Sequence, residues 1–175
     1  MNWQVILLVL VIVVGAVLAS SFLNRRFFSL MRKAENEVRH RCMQRPRLGI
    51  ETLLDGFGVS QNSRSASKEI LSGIARVMEV PAETLRGNDK FGDLCMVHFP
   101  TQVSVKPKHI NAFSHDLLDF ISQSLSEEQY NDFISALGAP YSSEDAIWGA
   151  ISKRPLSDIV RLMAQAKIGS SGISG

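Results

Sequence analysis

A long apolar run opens the chain. Val5 to Leu23 contains nineteen residues and no charge. As a helix rising about 1.5 Å per residue it would be roughly 28 Å long, close to the hydrocarbon thickness of a bilayer. Only a helix satisfies its own backbone polar groups in lipid, so the many β-branched residues do not favour a strand here. The run predicts a transmembrane anchor over 1–24.

Two alternatives to an anchor follow from the same run. Val17 and Ala19 are small enough to precede a signal-peptidase cut, which would release the rest of the chain. Against this, the preceding MNWQ has no Lys or Arg, and the run is longer than the usual signal core. A buried core helix without a polar face would need a larger protein around it. The anchor is therefore the favoured interpretation.

Behind the run, apolar residues recur at helical spacing among basic ones. They are Phe27, Leu30, Met31, Ala34, Val38 and Cys42. Residues at this spacing share one face of a helix. Arg45-Pro46-Arg47 ends the pattern, because Pro removes a backbone donor. We predict a basic juxtamembrane helix over 25–47.

The next stretch, 48–67, is predicted to be a linker. Its last part, SQNSRSAS, is polar and aperiodic, which is typical of a surface loop. Residues 50–54 are expected to form no more than a turn of helix, broken by Asp55-Gly56-Phe57-Gly58. A domain boundary is expected here, and a fragment that begins near Ser60 is expected to fold by itself.

The remainder, 68–167, repeats apolar residues at helical spacing and predicts a helical domain. Ser67 is a candidate cap for its first helix. A second helix is expected from Ile110 to Leu125. The short helix that carries Trp148 is expected to bury that side chain in the core.

Cap residues mark the ends of the later helices. Ser126 and Gln129 have the spacing of a capping box, and Gly138 is a helix stop. Ser142 and Ser143, followed by Glu144 and Asp145, are predicted to begin the next helix. A last helix is predicted over 156–166, and the Gly/Ser-rich tail 168–175 is expected to be disordered.

One segment has the two-residue period of strands instead. Val97, Phe99, Val103 and Val105 alternate with polar residues around Pro100, which predicts a short β-hairpin or an extended insertion. The predicted fold class is therefore all-α: a single transmembrane helix followed by a small cytoplasmic helical bundle with this insertion.

Charge is distributed unevenly along the chain. Between Asn24 and Arg47 there are eight basic and two acidic residues, a net charge of +6, whereas the remainder has eleven basic and fifteen acidic residues, a net charge of −4. Positive charge next to a span favours the cytoplasmic side, and two cysteines fit a reducing compartment. The expected location is a membrane, such as the bacterial inner membrane, with the C-terminal domain in the cytoplasm.

The basic segment suggests a partner. Arg25, Arg26, Arg32 and Lys33 are expected to contact the anionic headgroups of a lipid bilayer, although a solvated flank with no ligand accounts for the same pattern. Nucleic acid is not expected, because no Gly-rich or aromatic RNA-binding motif accompanies the charge and the following domain is acidic.

Residues 70–94, ILSGIARVMEVPAETLRGNDKFGDL, resemble the first helix and following loop of acyl carrier proteins. In that family an amphipathic helix leads to a "v.pe.l" segment, a polar stretch, and an Asp-Leu pair just before the modified serine. The matching positions are Val80, Pro81, Glu83, Leu85, Phe91, Asp93 and Leu94. The resemblance implies an acyl-carrier-like bundle.

The chain departs from that family at the residue that carries the chemistry. After Asp93-Leu94 it continues with Cys95, Met96, Val97, His98 and Phe99, so the serine that would hold phosphopantetheine is missing. No carrier activity and no cofactor are expected. The resemblance then implies a degenerate member, and a fold alone does not establish a function.

No catalytic, cofactor-binding or metal-binding residue is assigned. Cys95 and His98 are near in sequence, but a nucleophile needs a base within hydrogen-bond reach and a group that orients the base; a buried cysteine is the ordinary interpretation. His40 with Cys42, and His109 with His115, lack the spacing of a metal site.

These patterns favour a membrane-anchored interaction or adaptor protein with an unidentified protein partner, and not an enzyme. One alternative is a tethered partner of acyl-carrier-dependent lipid or polyketide enzymes. A second alternative is a small hydrolase or transferase built on Cys95 and His98.

Overall fold

The computed structural model describes residues 3–99, 108–138 and 143–169, with the backbone alone at 3–12, 16–19, 23–24, 98–99 and 108–110. Most of these residues are helical. The elements are α1 (Trp3–Met43), α2 (Ile50–Gly56), α3 (Arg64–Val77), α4 (Phe91–Cys95), β1 (Met96–Phe99), β2 (Lys108–Asn111), α5 (Ser114–Ser124), α6 (Glu127–Leu137), α7 (Glu144–Ile151) and α8 (Leu156–Gly169).

The prediction of a transmembrane anchor is wrong. Within the described residues, no helix has an apolar stretch of the length that crossing a membrane requires. Side chains of the apolar run are described only at 13–15 and 20–22, and from Arg25 onward charged residues interrupt α1 every few positions. The single-pass membrane fold class and the inner-membrane location with a cytoplasmic domain depended on that anchor and are corrected with it.

The helices predicted from periodicity in the part of the chain that follows α1 are confirmed. α3 packs against α8 and α5, and α6 packs against α8. Ile70, Leu71 and Ile74 of α3 are fully buried, as their spacing predicted. However, α3 begins at Arg64 and not after Ser67. Ser67 lies inside the helix, buried, and its hydroxyl has no hydrogen-bond partner in the described structure.

An antiparallel pair of β1 and β2 is present, in which Met96 lies opposite Asn111 and Phe99 opposite Lys108. Val97 and Phe99 lie in β1 as their alternation predicted, but β2 comes later than the predicted second strand, and Val103 and Val105 lie outside the described residues. The loop between the strands lies outside the described residues. Because β2 takes the residues up to Asn111, the helix expected from Ile110 begins only at Ser114. Phe113 makes the turn between them with a left-handed φ of 61°.

Three predicted helix ends in the later part of the chain are confirmed. Ser126 accepts from the Gln129 amide, and the Gln129 side chain accepts from the Ser126 amide in return. Gly138 ends α6 with a φ of +67°, and the Ser143 hydroxyl accepts from the Ala146 amide at 3.2 Å. α8 continues to Gly169, so two residues of the predicted disordered tail are helical; 170–175 lie outside the described residues.

Helix is present where a linker was predicted. α2 and the start of α3 lie in 48–67, and Leu53, Leu54 and Phe57 are buried in the same core cluster as the later helices. Arg64 joins the two helices through Glu51 at 2.7 Å and Asp55 at 2.8 Å.

Trp148 of α7 is only half buried, which falls short of the full burial that the sequence suggested. Its ring centroid lies 6.0 Å from that of Phe91, at an interplanar angle of 58°. The indole therefore packs at the edge of the core and not in its centre.

Candidate functional site

The C-terminal part of α1 packs into the hydrophobic core. Ala34, Val38 and Cys42 are at most 1% exposed. Their four-residue spacing places them on one side of the helix, and this part of the chain packs against α4 and the two strands. The predicted common helix face is confirmed over these three residues, and the structure shows that it is buried there.

Two arginines fix the same end of α1. The Arg41 guanidinium donates to the carbonyl of Met96 at 2.9 Å and to that of Leu94 at 3.4 Å. Arg45 forms an ion pair with Asp89. Backbone carbonyls at the α4–β1 junction and a loop carboxylate thus hold the last turns of the helix.

A third arginine joins α1 to two turns with left-handed backbone. Arg39 lies 3.1 Å from the Glu79 carboxylate and 5.1 Å above the Phe113 ring. Glu79 and Phe113 both have positive φ, 53° and 61°. A cation above an aromatic face is attracted to the ring quadrupole, so this side chain has a structural role.

The part of α1 that precedes this C-terminal part exposes a groove along the helix. The groove has a volume of about 470 Å³ and is lined by Arg25, Phe28, Ser29, Arg32, Lys33 and Asn36. We call these six residues the basic–aromatic face. Phe28 is 64% exposed, and its neighbour Phe27 is 57% exposed with its ring at 6.2 Å.

The charges of the basic–aromatic face are not neutralised within the molecule. In the described part of the chain, no carboxylate lies within ion-pair distance of Arg25, Arg32 or Lys33. The first acidic residue of α1 is Glu35, which faces Arg39 at 3.7 Å. The face is therefore positive, partly apolar and open to a ligand.

A second cavity, of about 300 Å³, lies between the end of α1 and α4. Arg41, Arg45, Lys90, Asp89 and Asp93 contribute its charged lining. Both guanidiniums are already bound to protein oxygens. Little positive charge is left for a ligand there, so the basic–aromatic face is the stronger candidate.

The geometry gives Cys95 no nucleophilic character. The thiol is fully buried, and burial, with a smaller contribution from Cys42, raises its pKa to about 12. A thiol must ionise to act as a nucleophile, so Cys95 stays protonated near neutral pH. His98 lies in β1, opposite His109, and its side chain is outside the described atoms.

Within the described side chains, His40 and His115 do not belong to a metal site, and the side chain of His109 lies outside them. His40 is exposed and contacts the Gln44 amide at 2.8 Å, while His115 faces Asp119 at 3.2 Å on the surface of α5. In the described residues no group of three His, Cys, Asp or Glu side chains could hold a metal ion.

The segment that resembles acyl carrier proteins forms α3, a 3₁₀ turn over Ala82–Thr84, and α4. Its apolar positions Leu85, Phe91 and Leu94 are buried. After Asp93-Leu94 the chain completes α4 at Cys95 and enters β1. The resemblance itself stays a prediction.

Comparison with known proteins gives no relative from which to transfer a function. No protein-family model matches the chain, and neither a curated protein nor a solved structure does. The candidate site therefore rests on its own geometry.

The sequence predicted the charges of the face but not its aromatic component. Arg25, Arg26, Arg32 and Lys33 were expected to contact anionic headgroups; Arg26 is exposed but does not line the groove, and Phe28 was left out of the apolar pattern. The adjacent pair Phe27-Phe28 gave no decisive signal, because a helical apolar stripe is wide enough to include two neighbours, as buried Ile70 and Leu71 show.

Proposed function

We propose that the protein is a non-catalytic interaction protein whose basic–aromatic face binds an acidic segment of a partner protein. One observation supports this: three cations and an exposed phenylalanine share a face of α1, and within the described residues no carboxylate lies in ion-pair range of those cations. Arginine and aromatic residues are enriched in protein-binding hot spots. An acidic helix with apolar residues at four-residue spacing would complement both properties.

Neither alternative function gains support from a particular observation. The Cys/His hydrolase needs an ionisable thiol, and the Cys95 pKa of about 12 opposes this. The carrier-related partner depends only on the resemblance of residues 70–94. Anionic lipid headgroups carry the same charge as an acidic helix, so the experiment must separate the two.

The test measures binding of an amphipathic peptide of Glu and Leu to the full chain. The peptide carries a fluorescent label, and its fluorescence anisotropy reports the bound fraction. Every sample contains a non-ionic detergent, because Val13, Val14 and Phe22 are exposed. We expect Arg32→Glu/Lys33→Glu to weaken binding about tenfold, since two attractive contacts become repulsive. Arg47→Glu/Arg76→Glu makes the same charge change at other exposed sites and should leave the affinity within about twofold.

Two results would overturn the proposal. In one, both double variants bind the peptide as well as the parent does. In the other, mixed micelles of phosphatidylserine and the same detergent bind through Arg32 and Lys33 but the peptide neither binds nor competes with them, which would assign the face to anionic lipid.

A further inference from the structure

We infer that a second copy of this chain is a partner of the basic–aromatic face, and that it docks there through an acidic surface on α6 and α7. The inference rests on the proposed function and names the partner. The acidic surface consists of Glu127, Glu128, Glu144 and Asp145, which we call the acidic face.

The four carboxylates are in the first turns of two helices that pack against each other. All four are exposed. The electrostatic influence of Glu144 contributes to a raised pKa at Tyr130, which is one turn into α6, so the beginning of α7 lies close to the beginning of α6. Among the described residues none of the four has an ion-pair partner.

One copy does not neutralise its own two faces. The residues by which α1 enters the core are Ala34, Val38 and Cys42, all C-terminal to the cations of the basic–aromatic face. The acidic face is carried by α6 and α7, which pack on α5 and α8. No ion pair within the described residues links the two faces, so each keeps its charge available to another molecule.

The signs of the charges select which faces meet. Two basic–aromatic faces placed opposite one another would repel, so the basic–aromatic face of one copy meets the acidic face of another. This contact can be reciprocal in a two-fold pair, in which both faces of each copy are used. It can also be head-to-tail, which leaves one face of each kind free and can continue into longer assemblies.

Phe28 adds an apolar component to a contact that is otherwise electrostatic. At 64% exposure its ring has surface to bury, and Tyr130, half-buried beside Glu144, offers an aromatic side chain near the acidic face. The charges set the orientation, and they make association sensitive to salt, because screening acts over about 8 Å at physiological ionic strength.

The decisive experiment is charge reversal with rescue. Full-length copies with donor and acceptor fluorescent tags are mixed in non-ionic detergent, and energy transfer is measured at low salt and at about 0.5 M salt. The basic variant is Arg32→Glu/Lys33→Glu, and the acidic variant is Glu127→Lys/Glu128→Lys. We expect each variant alone to self-associate about tenfold more weakly than the parent.

A mixture of the two variants should associate more strongly than either variant alone, because one kind of contact joins the two unaltered faces and the other joins reversed residues of opposite charge. Glu127→Gln/Glu128→Gln is a neutral control: mixed with the basic variant it keeps only the contact between unaltered faces, so this mixture should associate more weakly than the mixture of the two reversed variants. Thermal unfolding of each variant checks that α6 remains folded with altered charge in its first turn.

Absence of rescue in the mixture would overturn the inference, as would self-association of the parent that high salt does not weaken. The two proposals fail in different ways. If the parent binds the acidic peptide but does not self-associate, the second-copy inference fails and the proposed function stands. If neither the peptide nor a second copy binds, both fail.

Discussion

Cys95 shows how the fold controls the chemistry of a single residue. Its thiol is fully buried at the end of α4, where burial opposes ionisation and Cys42 adds to the effect. Arg41 acts in the opposite direction, but its guanidinium is bound to the carbonyls of Leu94 and Met96. The residue that the sequence offered as a nucleophile is thus a packing residue.

The same shift predicts a pH dependence of stability. The pKa of Cys95 rises from 9.0 to about 12 on folding, so the folded chain keeps a proton that the unfolded chain loses. The stabilising contribution is fully present below pH 9.0 and is lost as the pH rises toward about 12. The free energy of unfolding should fall by up to about 1.4 kcal/mol per pH unit in this range, as measured by urea titration.

Cys95→Ala is the control for this prediction. Other groups that titrate at alkaline pH are present in both proteins, so the difference between the two slopes isolates the thiol. The alanine variant should be less stable at pH 8 and should lose less stability between pH 9 and 12. Equal slopes in the two proteins would show that Cys95 is not protected from ionisation.

At the scale of elements, the contact of α3 with α5 depends on a glycine. Gly73 is buried in the middle of α3, where a glycine costs about 1 kcal/mol of helix stability relative to alanine. The Phe120 ring of α5 occupies the space that a Cβ at this position would need. The loss in helix propensity is therefore compensated by close approach of the two helices.

We expect Gly73→Ala to destabilise the protein by about 1–2 kcal/mol, because the cost of displacing the Phe120 ring exceeds the gain in helix propensity. Gly149→Ala is the matched control. Gly149 also lies within a helix, but a Cβ added there would meet open space, so this variant should gain up to about 1 kcal/mol. Urea unfolding curves measure both changes, and stabilisation by Gly73→Ala would contradict the packing argument.

The sequence predicted elements well where local rules decide and poorly where tertiary contacts decide. The capping box at Ser126 and the glycine stop at Gly138 are local, and both are confirmed. The start of α3 is not local: Arg64 is held by Glu51 and Asp55 of α2. Nothing in the aperiodic SQNSRSAS segment signals those partners, so the helix was predicted too short.

At the scale of the whole molecule, the candidate site is the place where the core ends along α1. Ala34 is fully buried, Leu30 and Met31 are half-buried, and Phe27 is 57% exposed. These residues share a helix face, so periodicity assigns them one environment. Where the packing partners of that face stop cannot be read from the period, which explains why the pattern groups the exposed Phe27 with buried residues.

The core also crosses the predicted domain boundary. Leu53, Leu54 and Phe57 are at most 4% exposed and belong to the same cluster as the apolar residues of α3 to α8. Full burial of such a side chain contributes about 1.5–3 kcal/mol. Together the three contribute about 5–9 kcal/mol, comparable with the entire stability of a typical domain, about 5–15 kcal/mol.

This continuity predicts that residues 60–175 do not fold by themselves, contrary to the expectation from helical periodicity. The fragment 25–175 keeps α2 and the buried half of α1 and should unfold cooperatively in urea with native helicity. The fragment 60–175 loses α2, its ion pairs to Arg64, and Ala34, Val38 and Cys42, so its far-UV circular dichroism should show weakened helicity and no cooperative transition. Leu54→Ala in the fragment 25–175 removes part of the core without shortening the chain. It should lower the free energy of unfolding by about 2–5 kcal/mol. A common urea midpoint for the two fragments would show instead that α3 to α8 form a self-sufficient core.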